Sequence, residues 1–171
     1  MSNVQDNQWD RFRRLLPPLQ SLELLILRGH LLVEEEFRGF LRAHCKHPEE
    51  LGAARLSFVQ MIQLTRAIGG WPRNDALWHF TLGLNAVRNR LAHRLEPGEI
   101  SSLVDNLLRA YWRNSYDPPQ SNRQRVTALR RTLACVVAML NGFTEGYVGT
   151  RQMLQSDKRG KLSNPALQRG R

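Results

Sequence analysis

Apolar side chains recur at three- and four-residue steps through most of the chain, the spacing of helices that bury one face. Leu22, Ile26, Val33, Phe37 and Phe40 form the first such stripe, with Gly29 on the same line. They predict a long helix from about residue 18 to His44, ended by His47-Pro48. A shorter helix over Trp9 to Leu16 precedes it, interrupted by Pro17-Pro18. A second long element starts near Glu49-Glu50, acids that suit a helix amino terminus. It carries Ala54, Phe58, Met61, Thr65 and Ile68 and stops at Gly69-Gly70-Trp71-Pro72. The next begins at Asn74 or Asp75, either of which can cap it. Its stripe is Leu77, Phe80, Leu84, Val87, Leu91 and Leu95, closed by Glu96-Pro97-Gly98. Ile100, Leu103, Leu107 and Tyr111 mark a fourth helix, and Asp117-Pro118-Pro119 breaks it. Val126, Leu129, Leu133, Val136, Leu140, Phe143 and Tyr147 mark a fifth. No strand-like alternation persists and no internal repeat is visible. The expectation is an all-α, single-domain bundle of four to five helices with short connections. Its parts are an amino-terminal helix or arm (1–17), the bundle (18–150) and a flexible basic tail (151–171), where the stripe fades.

Length and composition agree with that picture. A chain of 171 residues that is 42% apolar can bury one core. The polar start, Met1-Ser2-Asn3-Val4-Gln5-Asp6, has no leader pattern. The longest apolar run, Leu133 to Leu140, falls far short of the roughly 20 residues that span a bilayer. A cytoplasmic protein without membrane contact is expected. Cys45 and Cys135 lack C-x-x-C spacing and read as free thiols in a reducing compartment.

The net charge of +10 changes the picture through its distribution. The first 50 residues are nearly balanced, whereas the tail carries Arg151, Lys158, Arg159, Lys161, Arg169 and Arg171 against Asp157 alone. Such a balance attracts phosphate polymers without specificity. The large excess of arginine over lysine also fits a codon-biased genome. Charge by itself says nothing about catalysis.

Chemistry is concentrated in Arg88-Asn89-Arg90-Leu91-Ala92-His93. Asn85, Asn89 and His93 are four residues apart and stack along one line of the third stripe's helix, with Arg88 beside that line. Leu84, Val87 and Leu91 anchor the same turns in the core. These residue types suit phosphodiester cleavage without a metal, because RNA supplies its own nucleophile in the 2′-hydroxyl. Histidine titrates near neutrality and can move the protons. Arginine can steady the charge building on the phosphate. Asn89 can position the phosphate or fix the imidazole tautomer. The competing reading is structural: Arg and His near a helix carboxyl terminus also satisfy its carbonyls and dipole.

The stretch from Leu84 to His93 resembles the motif of HEPN ribonucleases, in which Arg, a polar residue and a downstream His lie on a late helix of a small bundle. The layout of about residues 50–100 looks like the mannitol operon repressor branch of that superfamily. The resemblance implies a metal-independent, cofactor-free endoribonuclease that works as a homodimer, its paired motifs facing one cleft. Many such proteins serve in toxin–antitoxin or phage-defence systems, which implies an antitoxin or regulatory protein partner. By resemblance His93 is the general acid or base, Arg88 the clamp on the transition state and Asn89 the positioning group. Toxins paired with nucleotidyltransferase antitoxins often carry a Tyr two residues after the His, and here that position is Leu95. The mannitol-repressor branch includes members without nuclease activity, so a non-catalytic regulator that binds a protein partner or nucleic acid is the alternative. A DNA-binding repressor is a third reading, without a recognition-helix pattern to support it.

Other residues carry weaker signals. Arg90 and Arg94 flank the motif and can track an RNA backbone, or are simply solvated. One of Glu34, Glu35 and Glu36 can pair with Arg88 or orient His93, against the competing reading of a solvated face. His44, Cys45 and His47, with His30 farther back, lack the spacing of a zinc site, and no metal is expected. Trp9, Trp71, Trp78 and Trp112 suit base stacking, or equally a core or an interface.

Overall fold

In a computed structural model the described residues are 8–18, 21–69, 75–92 and 97–162, with side chains described except at 8–9, 75, 97–98, 114 and 151–162. They form an all-α structure. Its helices are α1 (Gln8–Leu15), α2 (Leu22–His44), α3 (Glu50–Ala53), α4 (Phe58–Gly69), α5 (Asp75–Ala92), α6 (Pro97–Trp112) and α7 (Asn122–Leu162), with a 3-10 turn at Arg113–Ser115. The stripes read from the sequence supply one core, in which Leu25, Ile26, Val33, Phe37, Phe80, Leu84, Leu129, Leu133 and Leu140 are wholly buried.

α2 is the central strut. Ser21 starts it by accepting the amide of Leu24 on its hydroxyl at 3.2 Å, so the helix begins past the expected residue 18. One face packs on α7. Gly29 meets Leu133 there, and a Cβ at Gly29 would lie 2.5 Å from Leu133 Cδ1 and 2.9 Å from Cδ2. Farther along, His44 stacks on Tyr147 with ring centroids 3.4 Å apart, so the two helices run parallel. A second face packs on α5 in the opposite sense: Phe37 stacks on Trp78 at 6.2 Å while His30 meets Asn85. α6 lies antiparallel to α5, with Phe80 against Tyr111 and Gly83 against Leu107. Asp105 and Trp112 of α6 meet Arg125 and Thr132 of α7. α6 and α7 are therefore parallel, and the segment from 113 to 121 doubles back between them.

The arm at the amino terminus belongs to the same core, through Phe12 and Leu16. Helix ends expose carbonyls without partners. Here Arg28 donates to the carbonyl of Leu15 at 3.2 Å and Arg130 to that of Leu16 at 2.6 Å. The element expected to run unbroken from Glu50 to Ile68 is two helices. Ser57 Oγ accepts the amide of Gln60 at 3.3 Å, and Gln60 Oε1 accepts the amide of Ser57 at 2.9 Å. That reciprocal cap starts a new helix, and Arg55, at φ 45°, turns the chain between the two. Ala54 and Ile68, read as core, are exposed. α7 continues as helix to Leu162, past the boundary drawn at 150. Over Asn122–Thr150 it is long and apolar enough to cross a membrane by length and composition. In this fold its Leu129, Leu133, Val136 and Leu140 are buried.

The α2–α7 contact yields a test by glycine substitution. Gly29→Ala gains helix propensity but drives a methyl into three atoms of a fully buried leucine, so stability falls by about 1–2 kcal/mol. Gly142→Ala, where nothing lies within 4 Å of the new methyl, raises stability by about 0.5–1 kcal/mol. Urea unfolding midpoints check both, and equal effects of the two substitutions would contradict the tight α2–α7 seat.

Candidate active site

The end of α5 carries Asn85, Arg88 and Asn89 on a backbone fixed by Leu84 (fully buried) and Val87 (nearly so), with Leu91 packed against the core. Asn85 is half-buried, whereas Arg88 and Asn89 are exposed. Arg88 Nη1 donates to Asn89 Oδ1 at 3.1 Å, so the guanidinium and the amide are held together at the surface. His93 follows directly after Ala92, the last residue of α5. His93 and Arg94 lie outside the described residues, as do Leu95 and Trp71. Arg90 is exposed but about 200° around the helix from Arg88, so it faces another side.

The polar line on α5 is completed from α2 by a residue that sequence reasoning considered only as a weak zinc ligand. His30 is 5% exposed, and its Nε2–H donates to Asn85 Oδ1 at 3.1 Å. Its ring packs on Phe58 at a centroid distance of 4.2 Å. Nδ1 lies 3.8 Å from Glu34 Oε2, and the other oxygen of Glu34 accepts from Arg38 Nη2 at 2.7 Å. Of the three successive glutamates, Glu34 is thus the one that reaches this cluster, through His30 and paired with Arg38. Glu35 pairs with Arg11 on α1. The periodicity that could have exposed this link is the spacing His30, Glu34, Arg38, which repeats every four residues beside the core stripe of α2.

Burial pushes the His30 imidazole below its ordinary pKa; the Asn85 hydrogen bond and the Glu34 charge oppose this, and the Arg88 charge adds to it. His30 is therefore neutral at neutral pH. Enclosed as it is, it positions Asn85 rather than meeting a substrate. The exposed part of the cluster, Arg88 with Asn89, can grip a phosphate through the guanidinium fork.

The remaining candidates have structural occupations. His44 Nδ1 bonds the carbonyl oxygen of Phe40 at 2.8 Å, and His47 pairs with Glu49 at 3.1 Å. Among the described residues no group of three or more His, Cys, Asp or Glu is placed to hold a metal. Both cysteines are free. Trp78 is core, 6% exposed with Arg66 over its ring, so it offers no stacking surface. Trp112 donates to Thr132 Oγ1 at 2.9 Å and is partly exposed. The side chain of Trp9 is outside the described ones. No family model, curated protein or solved structure matches the chain.

The depressed imidazole has a signature in stability. Unfolded, His30 takes up a proton near its ordinary value of 6.5; folded, it does so only at lower pH. Below 6.5 the unfolded state binds more protons, so acidification costs stability until the folded group also titrates. Wild type should lose urea resistance between pH 7 and pH 5.5, and His30→Gln, which keeps a donor for Asn85 without a titrating ring, should lose less. Identical losses would show that His30 is not buried neutral.

Proposed function

We propose that the protein is a metal-independent endoribonuclease of HEPN type. The observation that carries the proposal is the pairing of Arg88 with Asn89 on the exposed last turns of α5, over the His30–Asn85 support, with His93 four residues farther along the sequence. Arg88 binds the scissile phosphate and stabilises the charge developing on it. Asn89 orients the guanidinium and the phosphate. His93 takes the proton from the 2′-hydroxyl, which attacks phosphorus and expels the 5′-oxygen. The products are a 2′,3′-cyclic phosphate and a 5′-hydroxyl. Expulsion of the 5′-oxygen calls for a second proton donor, which the histidine of a second copy supplies.

A helical bundle with Arg88 and Asn89 on α5 accords with the HEPN resemblance, and RNA accords with the basic balance of the chain. A toxin or phage-defence role in the cytoplasm, under control of a protein partner, accords with such an activity. A stripe beside the site supports both a homodimer and the alternative reading. Leu24, Leu27 and Leu31 recur on the outer side of α2 and are 37%, 43% and 61% exposed. The antiparallel register that matches His30 with Asn85 puts Leu27 level with Arg88. Three exposed leucines in line favour a packed neighbour. In the alternative reading, that neighbour is a regulated protein and the bundle is a non-catalytic, mannitol-repressor-like module.

The two readings separate on labelled single-stranded RNA. As a ribonuclease, the protein loses about 10²–10⁴-fold of its cleavage rate with His93→Ala, the usual worth of a positioned acid or base. Arg88→Ala is comparably damaging, and Arg88→Lys restores little because the planar fork is lost. A His93→Ala variant as fast as wild type, or a wild type inert on varied RNAs, sinks the nuclease reading. Sedimentation should show a dimer at tens of micromolar, a range suited to roughly micromolar affinity. Leu27→Lys with Leu31→Lys should shift it to monomer, and a wild type that is wholly monomeric would contradict the shared cleft.

A further inference from the structure

Away from α5, the doubled-back segment between α6 and α7 encloses a groove of about 630 Å³, within the size range of small-molecule sites. Its floor is Leu108, Trp112 and Ala128, and one wall is Tyr116 with Pro118 and Pro119. Arg123 and Arg131 stand on the α7 side. Arg131 lies over the Trp112 ring at 5.6 Å. Neither arginine has an acidic partner among the described residues, and Asp117 is the single carboxylate in the lining. Arg125, by contrast, is neutralised by Asp105 through bonds of 2.9–3.0 Å.

The start of α7 points to an anion there. The first turn of α7 reads Asn122-Arg123-Gln124-Arg125, without an acid. A helix amino terminus favours negative charge, and since Arg125 already has Asp105, it is Arg123 that opposes the dipole unless an anion joins it.

We infer that this groove binds a small aromatic anion, its ring on the Trp112, Tyr116 and Pro119 surfaces and its anionic group on the α7 side, between Arg123 and Arg131. The inference is independent of ribonuclease activity, since no element of the groove carries Arg88 or His93. A flat ring matches the apolar floor, and a phosphate or a carboxylate equally matches the guanidinium groups on the α7 side. The same shared chemistry can come from a nucleoside monophosphate or from an aromatic carboxylic acid.

Calorimetric titration of the full chain, in phosphate-free buffer, distinguishes them. The probes are AMP and indole-3-acetate, with adenosine and inorganic phosphate, and indole and acetate, as their halves. Binding of AMP or of indole-3-acetate at least tenfold tighter than either of its halves supports the site, and the one that binds names the source. Arg123→Ala, at an exposed position, should weaken that binding about tenfold or more, Arg123→Glu should abolish it, and Arg123→Lys should retain most of it, with helicity unchanged throughout. The inference is overturned if neither anion binds at millimolar concentration, if a neutral half binds as well as its parent, or if Arg123→Glu has no effect. Binding confined to a long RNA, with AMP and indole-3-acetate inert, overturns it too.

Discussion

The hydrogen bond between His30 and Asn85 fixes the relation between the two helices on which the candidate chemistry depends. It joins a buried imidazole to a half-buried amide, and a buried donor without its acceptor costs about 1–3 kcal/mol, so α2 and α5 are held in one register. Registers displaced by a turn would bury the imidazole against apolar side chains and leave Asn85 unpaired. Because α5 is locked at Asn85, Arg88 and Asn89 emerge one turn later at a defined place on the surface. The same imidazole is kept neutral by its burial, which leaves Arg88 as the charged group of this polar line on α5.

α2 can serve as that reference because its other face is immobilised by packing. Gly29 admits Leu133 to within a distance that any side chain would forbid, and tight interiors tolerate few alternative arrangements. Arg28 and Arg130 then tie the end of α1 to α2 and α7 through its terminal carbonyls. On its exposed side α2 presents Leu24, Leu27 and Leu31, a surface that gains from a neighbour. One helix therefore carries much of the core, the support of the candidate site and an exposed line of leucines.

Much of this was legible in the sequence, because a helix that buries one face writes a period of three to four into its residues. The stripe of α2 is core at every position; those of α5, α6 and α7 are buried or packed against the core except at Tyr147, which is exposed, and at Leu95, which lies outside the described residues. The break at Ala54–Ser57 was hidden because its cause is local hydrogen bonding: Ser57 and Gln60 cap each other while the apolar spacing runs on across the gap. The extension of α7 to Leu162 was hidden for the converse reason, since a helix can outlast its apolar stripe. At the candidate site, the placement of Arg88 and Asn89 followed from spacing alone. His30 did not, because its partner lies 55 residues away and a lone histidine beside an apolar stripe gives no sign of whom it meets. What could set Glu34 apart from its two acidic neighbours is the four-residue step through His30, Glu34 and Arg38, which the ion pair with Arg38 makes visible.

The central claim is that the phosphodiester bond is broken by RNA's own 2′-hydroxyl, with protein side chains in place of a metal. The ends of the RNA fragments report that chemistry directly. After incubation of the wild-type chain with labelled RNA in excess chelator, the claim predicts undiminished cleavage and fragments bearing 2′,3′-cyclic phosphates and 5′-hydroxyls. Fragments with 3′-hydroxyl and 5′-phosphate ends, or cleavage that chelator abolishes, would contradict it.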